Sequence, residues 1–282
     1  MVIINLYSFN KNEKLAIIAL AAASAAYFQG SAAQAEGYSI TLDSSWYSNS
    51  STLYFWTGDA GASGWSTANN WKYLSNATQQ NLQGPQGYYY PGNKDTAFIG
   101  FNFSYENSQQ VLTSMDSYTW TMPQWLHTNA PIYLGSNVTV SGSSNGFEGT
   151  VSLNFGDMAL TSSKVSMGSF WARSGTFTFS GFLTMAADDF SYTLFEATSM
   201  VQNAGTWVAN FDITDQYGQS LTLATTDDQK GQAGYYWLET EGALGGNYAI
   251  KLVAKGTTVP EPATSALSLL ALAGLVVRRR RK

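Results

Sequence analysis

From Pro131 onward the chain consists of short runs in which apolar and polar residues alternate, separated by regularly placed glycines. In residues 151–155 and 176–179 every second side chain is apolar, which is the pattern of a strand with one buried face. Glycine accepts the backbone angles of tight corners, so the glycines between the runs predict turns. The pattern predicts an all-β protein.

Other runs extend this pattern towards the C-terminus. Short strands are predicted at residues 132–134, 138–140, 158–160, 165–167 and 182–185, and longer ones at 192–196, 206–213, 220–225, 234–239 and 247–253. The last two, joined through glycines 242–246, are expected to form an antiparallel hairpin that closes the C-terminal end. Spacings of roughly 6 to 12 residues suit a short parallel β-solenoid or a β-sandwich, and we favour the solenoid because the strands are so short.

The composition excludes several kinds of chemistry. The chain has no cysteine, so disulfides, thiol nucleophiles and Cys-ligated metals are absent. Seven of its 14 basic residues lie in the terminal segments, which leaves a body with 7 basic and 17 acidic residues and a net charge of −10. Such a surface repels phosphate backbones, so nucleic acid is not expected as a partner.

The N-terminus has the features of an export signal. Lys11 and Lys14 precede an uncharged apolar stretch at residues 15–28, and the small residues Ala33 and Ala35 flank Gln34 just before Glu36. A charged start, an apolar run too short to span a membrane and an A-x-A site are typical of a signal peptide. We therefore expect residues 1–35 to form a signal helix that a signal peptidase removes after Ala35.

The C-terminus carries a second ordered pattern. Pro260, Glu261 and Pro262 are followed by an uncharged stretch rich in Leu and Ala, residues 263–277. As a helix this stretch would rise about 22 Å, somewhat less than a bilayer core, and terminal basic side chains can make up the difference by snorkelling. Basic residues favour the cytoplasmic side, which places the body outside the membrane. The proposed membrane stop consists of Arg278, Arg279, Arg280, Arg281 and Lys282.

This tail resembles the PEP-CTERM sorting signal of Gram-negative bacteria. The resemblance covers residues 259–282 and implies that Pro260, Glu261 and Pro262 are recognised by an exosortase, a membrane-embedded protease, while the transmembrane helix holds the chain. It further implies an exported protein, first anchored in the membrane and then located at the cell surface or outside the cell. Association with extracellular polysaccharide is also implied by the resemblance. An ordinary anchor helix would give the same topology without processing.

A Trp-rich block at residues 36–130 precedes the alternating region, which we take as residues 131–258. Its Trp56-Thr57-Gly58, Asn70-Trp71 and the Pro-Gly-x-x-Asp of residues 91–95 resemble the opening of autotransporter-like β-solenoid proteins, although the spacing between Trp71 and Pro91 is longer than usual. Large indoles near the start of a sheet can cover an open edge.

The sequence gives few candidates for catalysis. The single histidine, His127, has no Cys partner, and the paired carboxylates Asp188–Asp189, Asp227–Asp228 and Glu239 with Glu241 suit solvated turns or a charged rim. Residues 212–218 offer oxygen ligands for Ca²⁺ but lack the EF-hand pattern. We predict no cofactor, no metal site and no enzymatic activity.

Aromatic residues are the remaining candidates for function. Tyr88, Tyr89 and Tyr90 could stack against sugar rings, as could three tryptophans, and the alternative is that these rings fill the core. Three hypotheses follow: a structural or adhesive envelope protein, which we favour; a carbohydrate-binding module; and a glycan hydrolase or lyase, which the scarcity of charged residues disfavours. The three tryptophans are Trp125, Trp171 and Trp237.

Overall fold

The computed structural model describes residues 38–58, 64–84, 90–92, 94–126 and 128–257. These residues are mostly β, with two 3₁₀ helices (Ser44–Ser50 and Ala68–Asn70) and no α-helix. The strands in the described ranges are β1 (Ser39–Leu42), β2 (Leu53–Trp56), β3 (Trp71–Leu74), β4 (Thr96–Ile99), β5 (Phe101–Glu106), β6 (Gln109–Ser114), β7 (Tyr118–Thr121), β8 (Trp125–Leu126), β9 (Pro131–Leu134), β10 (Val138–Asp157), β11 (Lys164–Thr184), β12 (Asp189–Asn203), β13 (Thr206–Thr214), β14 (Thr222–Leu223), β15 (Tyr235–Gly242) and β16 (Tyr248–Lys255).

Most strands belong to one large mixed sheet in which consecutive segments pair in parallel. β7, β8 and β9 all pair with β10, β10 pairs along its length with β11, and β11 pairs with β12 and then β13. The sheet continues from β9 to β4 and β2, again in parallel. Towards its two ends the pairing becomes antiparallel: β2 pairs with β3 at one end, and β12 with β16 and β16 with β15 at the other, where β14 adds to β15 in parallel. The C-terminal hairpin that the sequence predicted is thereby confirmed.

The core lies on one face of this sheet and is built from apolar residues that stack from strand to strand. Val140 pairs with Val165, Val165 with Phe195, and Phe195 with Ile250, and all four are fully buried. The alternation seen in the sequence determines this face, because neighbours such as Ser166 and Glu196 on the same strands stay partly exposed. Burial of stacked Phe, Val and Leu side chains replaces disulfides as the source of stability.

A smaller sheet covers the other face of the N-terminal strands. β1, β6 and β5 pair antiparallel in that order. The second core cluster is formed there by apolar side chains of β1, β5 and β6 together with those of β2, β3 and β4. Tyr133 of β9 lies at the margin of this cluster, with its ring 5.3 Å from that of Trp46 and 5.4 Å from that of Phe98. The outer face of the large sheet is therefore covered near β4 and β9.

Tryptophans concentrate at the β3 end of the large sheet. Trp56, Trp65, Trp71 and Trp120 are buried, with neighbouring ring centroids 4.8 to 6.1 Å apart. The Trp71 indole N–H donates to the carbonyl of Trp65 at 2.8 Å. That these indoles cover an open sheet edge stays a prediction.

Strand lengths differ from the sequence prediction. Residues 138–140 and 151–155 lie on one strand of 20 residues, and residues 165–167, 176–179 and 182–184 lie on one strand of 21. Glycines such as Gly146 do not end the strands, because backbone pairing with Trp125 and Trp171 continues through it. The prediction of short strands in this region was wrong.

Two predicted strands are also corrected. Residues 158–160 form a turn, because the Asp157 carboxylate accepts from the Ala159 N–H at 2.9 Å and the Asp157 carbonyl from Leu160 N–H at 3.1 Å. The predicted strand at 220–225 is reduced to Thr222–Leu223, which pairs with β15. Gly149 and Gly175, where the sequence predicted turns, have left-handed φ of +87° and +91° but remain paired with each other within β10 and β11.

Candidate functional site

The residues predicted to carry sorting lie outside the described ranges. These residues are Ala33, Ala35, Pro260, Glu261, Pro262, Arg278, Arg279, Arg280, Arg281 and Lys282. The predicted signal helix at 1–35 and transmembrane helix at 263–277 lie there too. Within the described residues no helix is long and apolar enough to cross a membrane.

The last described residue is held by a buried carboxylate. Thr257, the last described residue, donates from its backbone N–H to the Asp215 carboxylate at 3.0 Å, and its hydroxyl donates to the same Oδ2. The other oxygen, Oδ1, accepts from the N–H groups of Tyr217 and Gln219 at 2.9 Å each. Asp215 is only 1% exposed, so a buried carboxylate holds Thr257 in place.

These contacts stabilise the ionised form of the Asp215 carboxylate. Burial alone would raise the pKa of its carboxyl, but donation from Thr257, Gln219 and Tyr217 outweighs burial and lowers the pKa from 3.8 to about 2. Residues 212–218, considered from the sequence as a Ca²⁺ loop, thus use their buried carboxylate to bind the protein's own backbone.

The Tyr88–Tyr90 candidate is described only at its end. Tyr88 and Tyr89 lie outside the described residues, whereas Tyr90 is 43% exposed and lines a groove of about 390 Å³. The same groove is lined by Asn129, Glu148 and Thr150. An exposed ring beside polar side chains is an arrangement that can bind a sugar.

Two of the candidate tryptophans come together on the outer face of the sheet. The rings of Trp125 and Trp171 are 6.3 Å apart, on either side of Gly146 in the pairing. The Arg173 guanidinium lies 3.9 Å from the Trp125 ring centroid, a cation–π contact. Both indoles are partly exposed, and Trp237 lies apart from them on β15.

The carboxylate pairs considered from the sequence are dispersed. Asp188 accepts from the Gln216 side chain at 2.6 Å, Asp227 forms an ion pair with Lys230, and Glu241 forms one with Lys251 at 2.5 Å. In the described part of the chain, no three His, Cys, Asp or Glu side chains are grouped so that they could hold a metal ion. His127 lies outside the described residues.

A groove near β15 and β16 brings two glutamates to one face. Glu196 and Glu241 flank Ala249 in the register and line a cavity of about 480 Å³. Hydrogen bonds from the Lys164 ammonium and the Ser166 hydroxyl lower the pKa of the Glu196 carboxyl. Each glutamate is held by its own lysine, so the pair is a charged rim.

The sequence analysis overlooked one exposed ring, that of Phe182. It is 48% exposed, although Phe177 and Phe179 on the same strand are fully buried. The sequence could have indicated this exposure, because Phe182 lies an even number of residues after the polar Thr178 and Ser180 and so falls on the same face of the strand. The sequence prediction ended one strand before Gly181 and began another after it, so the alternation was not followed as far as Phe182.

Comparisons with known proteins concern the C-terminal tail. Residues 258–282 match the PEP-CTERM protein-sorting motif. No curated protein and no solved structure is significantly similar to the chain. The motif implies that the chain is an exported protein, sorted to the cell envelope through processing by an exosortase.

Proposed function

We propose that the protein is a non-enzymatic surface protein with a structural or adhesive role, associated with extracellular polysaccharide after sorting. The observation that carries the proposal is the sorting motif at residues 258–282, which directly follows a disulfide-free β body that ends at the Asp215–Thr257 contact. A body of stacked strands with few charged residues suits a passive role outside the cell.

The two termini give the proposed route. The signal peptide directs export and is removed after Ala35 by signal peptidase. The helix at residues 263–277 then anchors the chain in the inner membrane, with the Arg cluster on the cytoplasmic side, until the exosortase acts at Pro260-Glu261-Pro262.

We further propose that the body is a short parallel β-solenoid, with a β-sandwich as the alternative. The support is the order of pairing: each of the segments 118–134, 138–157, 164–184 and 189–214 pairs in parallel with the next along the chain. Stacking of like residues from segment to segment is typical of such coils.

Intact mass of the protein recovered from envelope fractions tests the sorting route. We expect loss of both ends, at Ala35 and near Pro262, in cells that contain the exosortase, and retention of the Arg tail in cells that lack it. Replacing Pro260 and Pro262 by Ala should give the same retained tail, whereas Pro123→Ala, outside the motif, should be processed normally. A tail retained in all strains would indicate a plain membrane anchor.

A carbohydrate-binding module is the second candidate function, favoured by the exposed Tyr90 beside its polar groove. A glycan array with the purified protein tests it. Replacing Tyr88, Tyr89 and Tyr90 by Ala should abolish the signal if this loop stacks on sugar rings, and an unchanged signal would exclude the loop.

A further inference from the structure

Phe182 stands on the solvent side of a strand whose other phenylalanines are buried. Along β11 the side chains alternate, so that Phe177, Phe179 and Leu183 face the core while Ser180 and Phe182 face outward. Nearly half of the Phe182 surface is exposed, 48%. The exposed ring offers apolar surface that a ligand can cover, and such coverage is favourable in water.

Two carboxylates flank this ring on the neighbouring strands. Phe182 pairs in register with Asp157 of β10 on one side and with Asp212 of β13 on the other. Adjacent strands lie about 4.8 Å apart, so both acids stand beside the ring on the same face. Neither carboxylate takes part in an ion pair with any described residue.

A polar groove of about 470 Å³ is lined by Ser180 and Gly181, which precede Phe182 on β11, and by Asp212, the register partner of Phe182. Its floor is a row of small polar residues across three adjacent parallel strands, Asn154, Ser180 and Asn210, which are paired with one another. Tyr133 closes the row at the β9 end, where the smaller sheet covers the face. The groove therefore runs across the strands from Tyr133 to Asn210 and Asp212.

The lining determines which ligand fits. Carboxylates can only accept hydrogen bonds, so a ligand between Asp157 and Asp212 must donate. Oδ1 of Asp157 already accepts from the Ala159 N–H at 2.9 Å, which leaves its Oδ2 for a ligand. Asn154 already accepts from the Gly156 N–H at 2.8 Å through Oδ1, which leaves its amide nitrogen to donate to a ligand. No Lys or Arg lines the groove, so an anionic ligand would be repelled.

We propose that this face binds a neutral polysaccharide chain, with one sugar ring stacked on Phe182 and its hydroxyls donating to Asp157 and Asp212. A sugar presents an apolar face of C–H groups and a rim of hydroxyls, which matches one exposed ring between acceptors. The rest of the chain lies along the Asn154–Ser180–Asn210 row. This site is separate from the Tyr88–Tyr90 loop and is independent of tail processing, so sorting and binding can fail separately.

Affinity electrophoresis of the purified protein in native gels tests the proposal. The gels contain soluble neutral glucan or mannan, anionic alginate, or cationic chitosan, and mobility gives the affinity. We expect retardation by a neutral polysaccharide, weakened about two- to thirteenfold by Phe182→Ala, because an aromatic contact contributes about 0.5–1.5 kcal/mol. Asp212→Asn should weaken it as well, since the amide is a poorer acceptor.

Tyr217→Ala is the matched control, because Tyr217 is also 48% exposed but lies in the turn after β13. It should bind like the wild type, and urea unfolding of each variant separates a loss of binding from a loss of folding. The proposal is overturned by absence of retardation in every neutral polysaccharide, by equal effects of the two aromatic substitutions, or by retardation in chitosan alone, which would indicate simple charge attraction.

Discussion

Substitution of two paired glycines measures how closely β10 and β11 are stacked. Gly149 and Gly175 are partners in the parallel register, and both have left-handed φ, +87° and +91°. Alanine at either position adopts this conformation at a cost of about 1–2 kcal/mol. A Cβ at Gly149 meets no atom within 4 Å, whereas a Cβ at Gly175 would lie 1.9 Å from the Gly149 carbonyl oxygen.

The overlap makes the two substitutions unequal. Relief of it requires a backbone shift costing about 1–3 kcal/mol, so we expect Gly149→Ala to lower the free energy of unfolding by about 1–2 kcal/mol and Gly175→Ala by about 2–5 kcal/mol. The reduced entropy of the unfolded chain is common to both and cancels in the comparison.

Urea unfolding followed by tryptophan fluorescence and far-UV circular dichroism gives these free energies. Gly84→Ala is the control, because a Cβ there meets no atom of the described residues within 4 Å and the backbone is not left-handed, so its effect should be within about 1 kcal/mol of zero. If Gly149→Ala destabilises as much as Gly175→Ala, the carbonyl does not face the second glycine and the register is wrong.

Three further predictions concern single polar contacts. Trp71→Phe should lower the free energy of unfolding by about 1 kcal/mol more than Trp120→Phe. The reason is that the Trp71 N–H donates to the Trp65 carbonyl, while the buried Trp120 N–H has no partner among the described residues. Urea unfolding of both variants compares the two losses, and equal losses would contradict the assignment. Tyr236→Phe removes a hydroxyl that donates to the Phe211 carbonyl at 2.9 Å and should lower the free energy of unfolding by about 1 kcal/mol by the same measurement, a value near zero refuting the role. The pKa of Asp215 is lowered in the folded state, so its contribution to stability is complete above pH 3.8 and is lost as the pH falls towards about 2. Urea midpoints measured between pH 5 and 2 should therefore fall more steeply for the wild type than for Asp215→Asn. Parallel curves would exclude this contribution.

Local alternation allowed much of the β body to be predicted. Val151, Leu153 and Phe155 alternate with polar neighbours in the sequence and are buried in the structure, as are Phe177 and Phe179. Strand ends were harder to predict, because Gly146 and Gly149 both remain paired within β10 although glycine is also common in turns. Sequence alone does not reveal which pairing partner is present.

The site features depended more strongly on tertiary contacts. Asp215 lies near Gly218 in the sequence, which suggested a cation-binding loop. Its actual partner, Thr257, lies 42 residues away and cannot be inferred from the neighbouring sequence. Phe182 required knowledge that the strand continues through Gly181. Asp157 and Asp212 become its neighbours only through the register.

The Asp215–Thr257 contact has a geometric consequence for whatever handles the tail. Three peptide steps separate Thr257 from Pro260, and an extended chain spans at most about 3.6 Å per residue, so Pro260 stays within about 11 Å of the fastened threonine. The segment from Thr257 to Pro260 is thus shorter than the width of a small domain. A protease that binds the two prolines while the body is folded must therefore also contact the folded body. The shape of the body then limits which enzymes can reach the motif.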